Sequence, residues 1–181
     1  GTGTVSMGGW TYGETAKEPV VSDNKGVATY QYKVKGSDDS TYSPDKPSNA
    51  GEYTVKATFA ETDLYKETTA TADFTIVKAQ AVISVDTTPI VKTYGDTWEL
   101  PTATTTFGAV SADKTVAEMS NAGEYTVTYT VAGNDNYNGD TKTVSVTINP
   151  KKIDKASADN TSFVYDGNEH TYNVATSDYY T

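Results

Sequence analysis

Asn49-Ala50-Gly51-Glu52-Tyr53-Thr54-Val55 returns unchanged as Asn121-Ala122-Gly123-Glu124-Tyr125-Thr126-Val127, 72 residues further along the 181-residue chain. Seven consecutive identities mark an internal repeat, and a repeat decides how the rest is read. From Gly51 to Ala79 and from Gly123 to Lys151 the copies align without a gap, keeping Thr58/Thr130, Asp63/Asp135, Tyr65/Tyr137, Thr69/Thr141 and Ile76/Ile148. Upstream, Thr11-Tyr12-Gly13-Glu14-Thr15 answers to Thr93-Tyr94-Gly95-Asp96-Thr97. From Gly13 to Asn49 is 36 residues and from Gly95 to Asn121 is 26, so the first copy carries about ten extra residues in its middle. The polar stretch Gly36-Ser37-Asp38-Asp39-Ser40 is the expected place, because a hairpin loop lengthens there at small entropic cost. A looser relative, Val164-Tyr165-Asp166-Gly167-Asn168, opens a third copy. The predicted division is residues 1–78, 79–150, and an incomplete third repeat at 151–181.

Within each copy, apolar residues alternate with polar ones, the period of a strand with one buried face. Tyr53, Val55, Ala57 and Phe59 share one face and Glu52, Thr54, Lys56 and Thr58 the other. Ala72, Phe74 and Ile76 repeat the pattern, as do Ala28, Tyr30, Tyr32 and Val34. In the second copy it returns in Tyr125, Val127, Tyr129 and Val131 and in Val144, Val146 and Ile148. These are the predicted core residues. Threonine, valine and tyrosine are abundant and leucine occurs only at Leu64 and Leu100, so the chain is expected to be all-β with no helix.

Asn49, Gly51 and Tyr53, with Asn121, Gly123 and Tyr125, form the predicted structural motif. Immunoglobulin-type domains place a tyrosine near the start of their sixth strand, two residues before a cysteine, with its hydroxyl bonded back to upstream backbone. Tyr53 and Tyr125 fit that place, with Val55 and Val127 where the cysteine would stand. The two glycines suit a turn of unusual dihedrals. Tandem immunoglobulin-like β-sandwich modules are therefore the expected fold. A β-grasp-like module is the alternative, and it would require a helix between strands. The short junctions Lys78-Ala79 and Asn149-Pro150-Lys151 predict a stiff rod, not a flexible tether.

The net charge is −10 and all 14 basic residues are lysine, which leaves no guanidinium to grip phosphates and argues against nucleic-acid binding. The acidic excess is expected to keep the protein soluble and monomeric. No apolar stretch approaches a membrane span, so no membrane insertion is expected. Cysteine is absent, which removes thiol catalysis, disulfides and thiolate metal sites together.

Gly9-Trp10-Thr11-Tyr12-Gly13-Glu14, Tyr32-Lys33-Val34-Lys35-Gly36, the Asn49 to Thr58 segment and Ala72-Asp73-Phe74-Thr75-Ile76 together resemble the tandem immunoglobulin-like, Tyr-Gly-type repeats of Gram-positive (Firmicutes) cell-surface and adhesin proteins. The resemblance covers both full copies, and Phe163-Val164-Tyr165-Asp166-Gly167 fits a Tyr-Asp-Gly variant. It implies an extracellular, cell-wall-associated fragment of a longer secreted protein, acting as stalk, spacer or adhesin. Its implied partners are neighbouring repeats of the same chain and a host or matrix protein or glycan. The alternative is a carbohydrate-binding accessory region of a secreted polysaccharide-degrading enzyme.

No catalytic residue, cofactor site or metal site is expected. The only histidine, His170, lies beside Glu169 with no nucleophile motif in view. Asn134-Asp135-Asn136-Tyr137-Asn138-Gly139-Asp140 gathers oxygen ligands as calcium loops do, but no bidentate glutamate closes it and the first copy has Leu64 and Lys66 in the corresponding loop. A turn of residues tolerant of left-handed geometry accounts for it better. Tyr65 and Tyr137 are the candidate partner-binding residues, since aromatic rings between the last two strands can stack on sugars or protein. A structural plug that touches the neighbouring copy explains the same pair. Trp10 and Trp98 stand at different offsets from the Tyr-Gly turn, so half-buried packing is expected in place of a shared sugar platform.

Overall fold

The computed structural model describes residues 2–153, 162 and 164–171. The described chain is all-β, with one-turn 3-10 segments at Asp39–Thr41 and Ala117–Met119 as its only helical pieces. The first copy supplies β1 (Thr4–Ser6), β2 (Trp10–Thr11), β3 (Val20–Ser22), β4 (Ala28–Val34), β5 (Gly51–Phe59) and β6 (Thr68–Val77). The second supplies β7 (Ala79–Gln80), β8 (Ile83–Ser84), β9 (Ile90–Thr93), β10 (Thr104–Thr105), β11 (Val110–Ala112), β12 (Gly123–Val131), β13 (Tyr137–Asn138) and β14 (Asp140–Asn149). The third copy expected at 151–181 falls largely outside the described residues.

The main sheet and the separate antiparallel pair are wired alike in the two copies. A four-stranded sheet runs β2-β6-β5-β4 in the first and β9-β14-β12-β11 in the second, and a separate pair, β1-β3 or β8-β10, stands apart from it. The edge strand that follows the start of each copy is parallel to the last strand, with Trp10 opposite Ile76 and Lys92 opposite Ile148. The remaining pairings in each sheet are antiparallel.

Register locates the ten extra residues. Ala28 pairs with Phe59 and Val110 with Val131. Ala28 to Val110 is an offset of 82 and Phe59 to Val131 an offset of 72, so the insertion lies between Ala28 and Gly51. It prolongs β4, turns at Gly36 (φ 80°), and returns so that Ser43 bridges Tyr32. Lys33 and Lys56 both sit over the Tyr42 ring carried by this return, 5.0 and 4.1 Å from its centroid. Such contacts hold an exposed loop against a polar strand face.

Each copy has its own core. Val55, Ala57 and Phe59 of β5 pack with Phe74 and Ile76 of β6, Tyr32 of β4, Trp10 of β2, and Val5 and Met7 from the layer above. In the second copy Val127, Tyr129, Val131, Val144, Val146 and Ile148 pack with Ala81, Ile83 and Met119. The first core is aromatic at its centre. The Phe74 ring stacks on Trp10 (centroids 5.5 Å) and Tyr53 (5.6 Å), with Tyr32 edge-on at 6.3 Å. Val146 stands where Phe74 does and Lys92 where Trp10 does, so the second core is aliphatic there. Val34 departs from expectation: it is 60% exposed. It ends the edge strand beyond Tyr32, and the covering layer, which contributes Val5 and Met7 to the core with Val21 packed against it, leaves it exposed.

The glycines also differ from expectation. Gly51 does not take a left-handed φ, and Gly123 lies at the margin of extended backbone (φ 159°), because each opens a strand. What Gly51 accommodates is a ring: a Cβ there would sit 3.1 Å from Tyr53 Oη and 3.2 Å from its Cζ. Gly51→Ala is expected to cost about 1 kcal/mol in urea unfolding through overpacking. In a Tyr53→Ala background that cost should vanish, a coupling that a double-mutant cycle reads directly. The unusual dihedrals belong instead to Gly13 (φ 85°) and Gly95 (φ 90°) in the Tyr-Gly turns.

Candidate functional site

The junction of the two copies is where the repeated motifs meet, and it is assembled from three local structures. The first is the Tyr-Gly turn. In the first copy, the Glu14 amide donates to the Thr11 carbonyl at 2.9 Å and the Thr11 amide to Glu14 Oε2 at 2.8 Å. The second copy repeats this with Asp96 and Thr93 at 2.9 and 2.8 Å. A positive φ at the third turn residue and not at the second is the geometry of a type II turn, which requires glycine there. The turn fixes the tyrosine before it, whose amide continues the parallel pairing by donating to the Val77 carbonyl (Tyr12) or the Asn149 carbonyl (Tyr94), both at 2.8 Å.

The second is the tyrosine corner. Tyr53 Oη donates to the Asn49 carbonyl and Tyr125 Oη to the Asn121 carbonyl, each at 2.9 Å. This closure holds Asn49 and Ala50 at the end of the first copy with their remaining polar groups facing outward.

The third is the loop between β12 and β14. Asn134 Oδ1 accepts from the Asn136 and Tyr137 amides, both at 2.9 Å, and the Asn134 amide donates to the Tyr137 carbonyl at 2.9 Å. β13 lies parallel to β7, with Tyr137 opposite Ala79 and Asn138 opposite Gln80. Lys78 Nζ donates to the Asn134 carbonyl at 2.7 Å and Gln80 Nε2 to the Gly139 carbonyl at 2.6 Å. The segment that joins the copies is thereby strapped to the loop.

These parts lock together. Asn136 Oδ1 accepts from the Ala50 amide at 2.8 Å, while Asn136 Nδ2 donates to Asn49 Oδ1 at 3.1 Å. The Tyr137 ring stacks on Phe107 of its own copy at 4.0 Å and meets Tyr12 of the first copy edge-on at 5.3 Å. Tyr137 thus lies in the junction. Tyr65, at the matching position, is 42% exposed next to Leu64 at 86%. Its loop is held only by local bonds with Thr62, and Lys25 occupies the place of Phe107, so no ring backs it.

The oxygen-rich loop spends its acceptors on backbone. Besides Asn134 and Asn136, Asp140 accepts from the Ile83 amide through Oδ2 and the Thr141 amide through Oδ1, both at 2.9 Å. The Ile83 amide, first among causes, holds the Asp140 carboxyl below the usual aspartate range. A bonded lysine neighbour, Lys114, together with the Thr128 amide does the same for Asp113, and the Thr115 amide for Glu118. A carboxyl whose folded pKa is depressed adds stability above its unfolded pKa, and that stability is lost as pH falls through the folded value. The melting temperature is therefore expected to stay level above about pH 5 and to fall below about pH 4, the ordinary aspartate range. In Asp140→Ala the acid slope should be shallower, which calorimetry from the acid side of this range to above it checks.

Trp10 is buried against Phe74, whereas Trp98 is half-buried at the edge of the second core. His170 Nε2 lies 2.9 Å from Asp166 Oδ1, which also accepts from the Asn168 amide. Among the described residues no group of three or more His, Cys, Asp or Glu gathers to hold a metal ion. No helix among them is long and apolar enough to cross a membrane.

Sequence reasoning missed the role of Asn136, Phe107 and Tyr12. Their signal was present in one respect: Asn136 and Phe107 are positions at which the otherwise similar copies differ, Leu64 and Lys25 standing in the first. No protein-family model matches the chain, and no curated protein matches it.

Proposed function

We propose that the chain is a non-catalytic, extracellular repeat region of a bacterial cell-surface protein, whose copies serve as stalk or spacer. The observation that carries this reading is the junction itself, in which a motif present in both copies clasps a loop of the next. Such a joint suits a part that must hold direction over distance. Support for an immunoglobulin-type sandwich comes from the tyrosine corner, from the parallel edge strand on the last strand, and from the separate β1-β3 and β8-β10 pairs.

Trp98 favours a second reading, that of carbohydrate-binding accessory modules. It borders a groove also lined by Asp86, Lys92 and Glu99, a combination of ring face and polar groups that suits sugars. An array of glycans and extracellular-matrix proteins probed with the full chain separates the readings. The spacer predicts no retained ligand. Retention of a glycan that is lost in Trp98→Ala would replace the spacer with the accessory module.

A further inference from the structure

We infer that the far end of the second copy, around Tyr94 and Asn121, is a docking socket for the Asn-Tyr loop of a further copy of this module. The inference rests on the repeat reading and extends it from the joint observed to the matching end of the second copy.

This end matches the occupied joint position by position. The groove that the Tyr137 ring enters on the first copy is bordered by Tyr12, Gly13, Glu14, Ala16, Pro47 and Ser48. At the same offsets the second copy has a groove of about 360 Å³ bordered by Tyr94, Gly95, Asp96, Trp98, Met119 and Ser120. Trp98 in place of Ala16 gives this groove more aromatic surface for an incoming ring. Tyr94, matching the Tyr12 that meets Tyr137, is 43% exposed.

The polar half of the socket is present too. The corner bond from Tyr125 uses the Asn121 carbonyl, which any residue would supply, so the corner gives no reason for asparagine. In the first copy the side chain is put to use, because Asn49 Oδ1 and the Ala50 amide grip the Asn136 amide group from both sides. The second copy repeats Asn-Ala at 121–122, and among the described residues neither Asn121 Oδ1 nor the Ala122 amide makes a hydrogen bond. The occupant is specified by the same match. It must present asparagine followed by tyrosine, with an aromatic partner behind the ring as Phe107 stands behind Tyr137. The second copy has these features and the first, with Leu64 and Lys25, does not.

The test is amide hydrogen exchange on the full chain and on a chain in which residues 79–150 are duplicated in tandem between Pro150 and Lys151. The Ala122 amide should exchange about tenfold more slowly, or better, in the extended chain. Asn→Ala at the inserted counterpart of Asn136 should restore fast exchange at Ala122 while leaving Ala50 protected. Equal exchange at Ala122 in both chains, with the inserted copy's own strand amides protected and so folded, would overturn the socket. That outcome would leave the spacer reading in place, since the existing joint and the array result do not depend on it.

Discussion

Tyr137→Ala is expected to lower the stability of the chain by about 2–4 kcal/mol, whereas Tyr65→Ala at the matching position should change it by less than about 0.5 kcal/mol. The two tyrosines share an offset and little else. Removing the Tyr137 ring deletes a stack on Phe107 and an edge contact with Tyr12, and aromatic pairs are each worth about 0.5–1.5 kcal/mol beyond the area they bury. The Phe107 face then meets water, which adds a cavity-type cost. Tyr65 has no ring partner to lose. Calorimetry should show more than a lower midpoint: with the Tyr12 contact gone, the two copies should melt as separable transitions. Tyr137→Phe, which keeps both ring contacts, should behave as the parent. If Tyr137→Ala melts unchanged, the ring is not part of the joint and its surface is free for a partner.

How much of this was legible in the sequence depends on the element. β5, β6, β12 and β14 are nine or ten residues long with strict alternation, and a period of two over that length has one structural reading. β1, β2 and β8 are two or three residues long, too short to show a period. Val5 and Ile83 therefore entered the core unannounced, as did Met7 just past β1 and Met119 in a one-turn 3-10 segment, which have no period to read. Val34 fails for the opposite reason. Its alternation is correct, but alternation assigns a face and not whether a second layer covers that face. The corner was readable because a tyrosine at a fixed offset from a turn is a local pattern. The joint was not, because Asn49 and Asn136 are 87 residues apart and nothing local ties an amide to its distant partner.

The contrast between the two cores makes Phe74 the most consequential single position in the first copy. Phe74→Ala is expected to cost about 3–5 kcal/mol, the range for deleting a buried aromatic ring. Its ring is the shared partner of Trp10, Tyr53 and Tyr32, so no one neighbour can move in without breaking contact with the others. The damage should also spread along a definite route. Tyr53 carries the hydroxyl that fixes Asn49, and Asn49 with Ala50 grips Asn136 of the second copy. Loosening Tyr53 by removing the ring on which it stacks therefore weakens the joint as well as the core. Val146→Ala, at the matching place in the second copy, removes a smaller side chain from an aliphatic core and should cost about 1–3 kcal/mol. It should leave the Ala50 amide protected, because its own corner tyrosine, Tyr125, closes on Asn121 at the far end. Hydrogen exchange on the two variants separates these outcomes: Ala50 should open in Phe74→Ala and stay closed in Val146→Ala. If Ala50 opens equally in both, core and joint are not coupled through Tyr53.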